Sequence, residues 1–333
     1  MRIGAADTAR RVVVVAEIGN NHEGDAGLAA EMVAAAAAAG ADAVKLQAIE
    51  PRRLVRPTEA ERLAQLERFR LSPEELARLA AQAHDAGMAF LCTPFDLDAV
   101  ARLEPLVDAY KIASGDNDLD ALIRACARTG RPVLISMGMT DAAGAAHAVS
   151  VAAAEGAEVA ALHCVSAYPT PAQDAALRRI EELAAALPGV TIGYSDHTLG
   201  IDACVLAVAL GARVLEKHFT LRHDLSSFRD HRLSADPGQL AELVRRVREA
   251  EAMLAPVGTT SDAEAATAAA ARRSIVAAAD LPAGHVLADG DLWWLRPADG
   301  MAPGREAELL GRALARDVTA GEPLDPADVG IKE

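Results

Sequence analysis

Eight short apolar runs separated by helix-length segments predict an α/β chain built as a TIM (β/α)8 barrel, with a small β-rich piece after it. Three observations carry this fold class. The runs are mostly continuous rather than alternating, as in strands covered on both faces. Eight β-α units fit into about 250 residues, the ordinary length of such a barrel. After residue 254 the texture changes to short apolar pieces separated by turns.

The runs are Val12–Ile18, Ala43–Gln47, Ala89–Thr93, Ala109–Ala113, Pro132–Ser136, Val159–Cys164, Thr191–Tyr194 and Arg213–Lys217. Between the first two, Gly24–Ala39 reads as a helix stopped by Gly40. Ser72-Pro73-Glu74-Glu75 is a capping box with proline at the first helical position, and Gly87 marks that helix's end. Asp118–Thr129 ends at Gly130, and Pro237–Leu254 is the last barrel helix. An open doubly wound sheet is the alternative. Its usual first-turn glycine fingerprint is missing, and eight parallel strands suit closure better. The expected organisation is a barrel over 1–254, a linker over 255–272 rich in Pro, Gly, Thr, Ser and then Ala, and a small β-rich domain over 273–333. A domain of about 60 residues is marginal alone and is expected to lean on another surface.

The chain has 33 basic and 48 acidic residues, a formal net charge of −15. That argues against a general nucleic-acid or anionic-membrane partner. No apolar run approaches the roughly 18 residues of a membrane span, and Val12–Ala16 is too short for a secretory core. Cys92, Cys126, Cys164 and Cys204 are far apart with no CxxC pair, so reduced, buried thiols in a cytoplasmic protein are expected. There are 29 arginines but only four lysines. Arginine supplies nearly every general positive charge, so a lysine marks a place where a compact ammonium is needed.

A barrel's catalytic face lies at the C-terminal ends of its strands. There the chain places Glu17 to His22, Lys45-Leu46-Gln47, Thr93 to Asp96, Lys111 to Asp116, Ser136-Met137-Gly138, His163 to Tyr168, Tyr194 to His197 and Glu216-Lys217-His218. Three of the four lysines fall in this set. Lys45 and Lys111, with Ser114, Ser136, Ser166 and Ser195, offer two ammonium groups and several hydroxyls around one mouth. Gly115 and Gly138 allow close backbone approach, which suits a phosphate. The plain alternative is that the serines cap the following helices. His197 and His218 end adjacent strands, about 4.8 Å apart in such a sheet. No third ligand is obvious. Two protein ligands suit an exchangeable Mn²⁺ or Mg²⁺ better than structural zinc, and ordinary hydrogen-bonded histidines are the alternative.

Taken in order, Ala16–Gly24, Ala41–Gln47, Thr93-Pro94-Phe95, Lys111–Gly115, Gly193–His197 and Leu215–Thr220 resemble the sialic acid (nonulosonic acid) synthase family over essentially the whole chain. Leu292–Pro297 and Gly300 resemble the family's C-terminal antifreeze-like (SAF, β-clip-like) domain. The resemblance implies a transferase that condenses phosphoenolpyruvate with the open-chain aldehyde of an N-acylhexosamine, N-acetylmannosamine or a close analogue. The products are a nonulosonic acid and phosphate. It implies that Lys45, Lys111, Ser114, Ser136 and Ser195 hold phosphoenolpyruvate, with Ser166 where the family often has Asn. It implies that His197 and His218 bind a divalent metal, Mn²⁺ first, with Mg²⁺ or Co²⁺ as alternatives. Glu17, Tyr168 and Asp230 are the implied catalytic residues on the sugar side, with Gln47 and Asp116 binding sugar. A domain-swapped homodimer is implied, in which Arg296 of the partner subunit reaches the N-acyl group.

The chain departs from the family at Leu225–Ser234, where a Gly-Pro-Asp segment is common. Asp230 aligns with that Asp, but the loop is longer and carries Arg222, His223, Arg229, His231 and Arg232. Asp116 stands where Glu is common. These changes border the sugar side, so a phosphorylated acceptor, as in 9-phosphate synthases, is an alternative; a solvated, salt-bridged loop is the plain one. Other readings are a metal-dependent aldolase or lyase, a Schiff-base aldolase through Lys45 or Lys111, and a non-catalytic carbohydrate-binding homologue. The Schiff-base reading lacks an obvious apolar pocket. The intact strand-end set argues against the non-catalytic one.

Overall fold

The computed structural model describes residues 1–255 and 261–331. The chain divides into two units, Met1–Leu254 and Ala255–Glu333.

The first unit opens with a hairpin, β1 (Arg2–Ile3) and β2 (Ala6–Asp7). Eight parallel strands follow: β3 (Val13–Gly19), β4 (Ala43–Ala48), β5 (Ala89–Pro94), β6 (Ala109–Ile112), β7 (Val133–Ser136), β8 (Val159–Cys164), β9 (Thr191–Asp196) and β10 (Val214–His218). They close in the order β10-β3-β4-β5-β6-β7-β8-β9. The closed barrel excludes the open-sheet alternative. Helices α1 (Ala26–Ala38), α2 (Pro51–Leu54), α3 (Ala60–Phe69), α4 (Pro73–Asp85), α5 (Leu97–Leu103), α6 (Asp120–Arg128), α7 (Ala142–Ala153), α8 (Arg179–Ala186), α9 (Asp202–Ala209) and α10 (Pro237–Leu254) connect or flank them. The capping box is present on α4: Ser72 Oγ accepts from the Glu75 amide, and Glu75 accepts from the Ser72 amide.

Strand side chains alternate between the two faces. On β3, Val14, Ala16 and Ile18 join the large core beneath the helices, while Val13 and Val15 fill the barrel interior. Ala43, Leu91, Leu134, Leu162 and Val214 complete the interior's lower layer. The hairpin closes this end, which periodicity could not foresee because two-residue strands have none. Its Ile3 is fully buried in the interior cluster. Gly4 takes φ +56°, and a Cβ there would lie 2.9 Å from that of Ala89.

His22, beyond β3, is fully buried, and its Nδ1 accepts from the Gly24 amide at 3.0 Å. Burial holds its pKa down at about 4, below the ordinary 6.5. A depressed histidine destabilises the fold on protonation. Stability is full above about pH 6.5 and falls as pH drops toward 4, by roughly 3 kcal/mol in all. Unfolding midpoints at pH 4.5 and 7.5 should therefore differ less in His22→Gln than in the unaltered protein. An unchanged difference would remove His22 from the acid sensitivity.

In the second unit, β11 (Ser274–Ala277) pairs antiparallel with β12 (Leu292–Leu295) over a small core that includes Ile275, Leu309, Leu314 and Leu324. Part of the stretch read as a linker is instead helix α11 (Asp262–Ala271), capped by Ser261 Oγ on the Glu264 amide. Its alanines are strong helix formers, and the serine supplies the start. Residues 256–260 of that stretch lie outside the described residues. The four cysteines are free and buried. Among the described residues no helix is long and apolar enough to cross a membrane.

Candidate active site

The alternation that packs the lower barrel layer also selects the upper one. Continuing each inward series upward gives Glu17 on β3, Lys45 and Gln47 on β4, Thr93 on β5, Lys111 on β6, Ser136 on β7, Cys164 on β8, Ser195 on β9, and Glu216 and His218 on β10. All of them, with His197 one residue past β9, line one cavity of about 700 Å³.

Its floor is a buried charge cluster. Lys45 Nζ lies 3.2 Å from Glu17 Oε2 and 3.3 Å from Glu216 Oε2. Lys111 Nζ donates to Ser136 Oγ at 2.6 Å and lies 3.8 Å from Glu216 Oε1. Ser195 Oγ donates to Glu216 Oε1 at 2.9 Å. Gln47 donates to Glu17 Oε1 at 2.9 Å, and Asn20 in turn donates to Gln47 at 3.0 Å.

The two carboxylates are pushed apart. Burial raises Glu17, and Glu216 adds to the rise against the pull of Lys45. Burial acts on Glu216 too, but Lys111, Lys45 and Ser195 outweigh it and hold that carboxyl at about 2. One carboxyl keeps a proton more readily while its neighbour stays ionised, the pattern that assigns acid and base roles. Burial lowers Lys111, whereas Glu17 and Glu216 overcome burial and raise Lys45.

Beside this floor, the hydroxyls of Ser114 and Ser166 flank Gly138. A Cβ on Gly138 would lie 2.6 Å from the first and 2.5 Å from the second. Asn117 Nδ2 fixes the turn by donating to the carbonyls of Ser136 and Gly138 at 3.1 and 2.9 Å. Ser166 Oγ is buried without a partner. A concave, hydroxyl-lined step beside two ammonium groups suits an anionic oxygen.

The rings of His197 and His218 stand 5.3 Å apart, and Tyr168 packs on His197 at 4.1 Å. His197 Nδ1 is 2.8 Å from the Val165 carbonyl oxygen. A carbonyl only accepts, so Nδ1 carries a proton; burial lowers the ring's pKa, but the Cys164 thiol and the Val165 carbonyl outweigh it and raise it. His218 Nδ1 is buried without a partner, and burial with His197 and Lys45 nearby keeps the ring neutral. Two imidazoles at adjacent strand ends, with that of His218 held neutral, fit a divalent cation that takes its other ligands from water and substrate and displaces any second proton on His197. Among the described residues no cluster of three or more His, Cys, Asp or Glu is arranged to hold a metal.

At the rim, Arg229 lies over the Tyr168 ring at 5.0 Å and 3.2 Å from Asp230 Oδ1. Burial raises the Asp230 carboxyl against the pull of Arg229. Ser227 and Phe228 also line the cavity, while the rest of the 222–232 loop is tied to the barrel or turned to solvent. His231 is fully buried with Nδ1 2.8 Å from Thr220 Oγ1, and Arg222 and Arg232 are exposed away from the cavity.

Several positions correct the sequence reading. Asp116 does not line the cavity; it sits half-buried in a one-turn 3₁₀ helix, Ser114–Asp116, in which only Ser114 reaches the wall. Ser166 stands behind Gly138 rather than on the wall itself. Lys217 is not in the mouth at all. Alternation turns it outward, where it pairs with Asp196 at 2.8 Å. Arg296 belongs to the C-terminal unit and is exposed there. Glu216 stands in the strand-end set without an assigned role, and Asn117 and the cavity-facing Arg62, Gln65, Arg68 and Phe69 of α3 went unnoticed in the sequence. Only Glu216 left a signal, since it shares the inward parity of His218.

Comparison with known proteins places this geometry. Residues 32–258 match the NeuB family and residues 272–330 the SAF domain. The class is therefore a barrel-type acid synthase, an enzyme of the transferase type, carrying a C-terminal SAF domain. An N,N'-diacetyllegionaminic acid synthase of Legionella pneumophila is 36% identical over 331 residues, 93% of this chain and 92% of that protein. An N-acetylneuraminate-9-phosphate synthase of Mus musculus is 36% identical over 291 residues, 82% of this chain and 80% of that protein. The solved structure of an N-acetylneuraminic acid (sialic acid) synthetase from Leptospira borgpetersenii, in complex with citrate, aligns with a TM-score of 0.73 at 33% identity over 77% of this chain and 90% of that one. The chain belongs to the NeuB family.

Proposed function

We propose that the enzyme condenses phosphoenolpyruvate with the open-chain aldehyde of an N-acylhexosamine, forming a nonulosonic acid and phosphate. The observation that carries this is the cavity floor, where a raised carboxyl and an ionised one share two buried lysines beside a hydroxyl step. Lys45, Lys111, Ser114, Ser136 and Ser195 take the phosphate and carboxylate of phosphoenolpyruvate, with Ser166 supporting the step at Gly138. Gln47, Tyr168 and Asp230 face the sugar.

His197 and His218 would hold a divalent cation, Mn²⁺ in this reading, whose chemistry there is Lewis acidity toward the aldehyde oxygen. The enol carbon of phosphoenolpyruvate attacks the aldehyde carbon. Glu17 holds the proton that the new alkoxide takes up. Water adds at C2 and returns one proton to Glu17; C–O cleavage then releases phosphate, which takes the remaining hydroxyl proton as the keto group forms. Glu216 stays ionised and keeps both lysines protonated, so they stabilise the departing dianion.

A domain-swapped homodimer belongs to the same proposal. Leu97 at the start of α5, and Leu119, Met139 and Leu199 on loops, are exposed beyond four barrel strands. On the C-terminal unit, β12 exposes Trp293, Trp294 and Leu295 just before Arg296. Each apolar face supports a covering partner, and Arg296 is proposed to reach the acceptor's N-acyl group in the partner subunit.

Phosphate release from phosphoenolpyruvate with Mn²⁺ tests the reaction. The acceptors would be N-acetylmannosamine, its 6-phosphate, mannose and di-N-acetylated 6-deoxyhexoses. The 6-phosphate is included because Arg62 and Arg68 reach the rim. Release with one acceptor, abolished by chelator and giving the condensation mass, is expected. Phosphoenolpyruvate binding without release in any arm would point to an acceptor of another class. Absence of binding would overturn the proposal in favour of a non-catalytic role.

A further inference from the structure

Lys217 is the strand-end lysine that the cavity does not use. Its Nζ lies 2.8 Å from Asp196 Oδ2 and donates to the Thr198 carbonyl at 2.5 Å. Asp196 Oδ1 accepts from the Thr198 amide at 2.8 Å and from Tyr194 OH at 3.0 Å. Cys204 Sγ of α9 caps Oδ2 at 3.4 Å. Both charged side chains are 1% exposed. Lys217 and Asp196 are also direct partners in the β10–β9 ladder.

This placement brackets the two-histidine pair. His218 follows Lys217, and His197 lies between Asp196 and Thr198, both of which Lys217 grips. One ammonium thus ties the Asp196 side chain and the Thr198 backbone, on either side of His197, to the residue that precedes His218. An ion pair this deep is weak support for stability, because well-packed apolar residues often replace one without loss. What it can supply is a fixed spacing. A compact ammonium on a thin stem reaches the Asp196 carboxylate and the Thr198 carbonyl in this closely packed place, where a wider planar guanidinium would have to push its neighbours aside.

We infer that the buried Lys217–Asp196 pair is a positioning device that sets the separation and orientation of His197 and His218 for a divalent cation. The inference rests on the proposal that these histidines hold the cation. Support around first ligands of this kind is worth about 10- to 100-fold in metal affinity.

The test is Mn²⁺ binding to the full chain, read from the paramagnetic resonance of free Mn²⁺, beside phosphoenolpyruvate binding without metal and the thermal midpoint. The variants are Lys217→Arg and the double replacement Asp196→Leu with Lys217→Met. His218→Ala serves as the control for the underlying site. If His218→Ala keeps the Mn²⁺ affinity of the unaltered protein, the two-histidine site is wrong, whatever Lys217 does. With that site intact, both Lys217 variants should bind Mn²⁺ at least about tenfold more weakly. The double variant should keep its metal-free phosphoenolpyruvate binding, with the thermal midpoint lowered because the Thr198 amide and the Tyr194 hydroxyl lose their acceptor. Unaltered Mn²⁺ affinity in the double variant, or rescue by arginine, would overturn the inference. Should the apolar pair fail to fold, Asp196→Asn with Lys217→Gln keeps the volume and is judged on the same affinity.

Discussion

Glu17→Gln should bind phosphoenolpyruvate with nearly unaltered affinity and lose turnover by roughly 10²- to 10⁴-fold. The substitution keeps the side chain's volume and a contact with Gln47, which lies 2.9 Å away. It removes the proton that burial and Glu216 help the carboxyl retain. Lys45 keeps Glu216 as its charged partner, and the anion contacts of Lys111, Ser136 and Ser195 do not run through Glu17, so binding and catalysis separate. The measurement pairs calorimetric binding of phosphoenolpyruvate with kcat for the best acceptor. Because the acid form does the work, kcat should fall on the alkaline side as Glu17 loses its proton, and that limb should vanish in the variant. Turnover at the unaltered rate would remove Glu17 from proton handling.

Lys45→Met is expected to have the second-largest effect, on binding and on the fold together. Lys45 is the ammonium between Glu17 and Glu216, at 3.2 and 3.3 Å. Without it two buried carboxyls face each other with only Lys111 for compensation, and breaking a buried pair in this way costs about 3–5 kcal/mol. Phosphoenolpyruvate affinity should fall at least about 100-fold, in line with the loss of one desolvated charge partner. The sign of the pH dependence follows from the carboxyls. In the variant their folded-state pKa values rise, so the fold is penalised as pH climbs above the ordinary carboxyl range, and the destabilisation is smaller at pH 5 than at pH 8. Denaturant unfolding at those two pH values measures this. Equal destabilisation at both would mean that Lys45 acts through packing rather than charge.

The barrel was legible because its strands are buried on both faces. Val159–Cys164 was read with the bounds the structure shows, and the other seven runs shift by no more than two residues at an end. Most of the candidate site was legible too, since strand ends in a barrel converge whatever the loops do. The misses share a cause. Lys217 was grouped with Lys45 and Lys111 by position along the chain, whereas the side of the strand decides which lysine enters the cavity. Glu216 stood in the strand-end set without a role, although its parity is that of His218. Helix α3 carries Arg62 and Arg68 to the rim, and nothing between Gln47 and Ser72 announces a helix that contributes to a site. Asp116 sat at the right strand end, but one turn of 3₁₀ helix turned it away from the wall.

The alternation that sorts this barrel into an apolar lower layer and a charged upper one also bears on how its sequence can change over evolutionary time. Every inward residue, from Val13 and Leu134 up to Lys45 and Glu216, depends on an uninterrupted count of twos along its strand. Exchanging one side chain alters one wall position. Inserting or deleting a single residue within a strand would turn everything beyond it inside out, sending Glu17 or Lys111 into the helix layer. Length variation is thus expected to accumulate where the count has ended, in loops such as 222–232. New acceptor preferences can arise there while the charged layer beneath keeps its place.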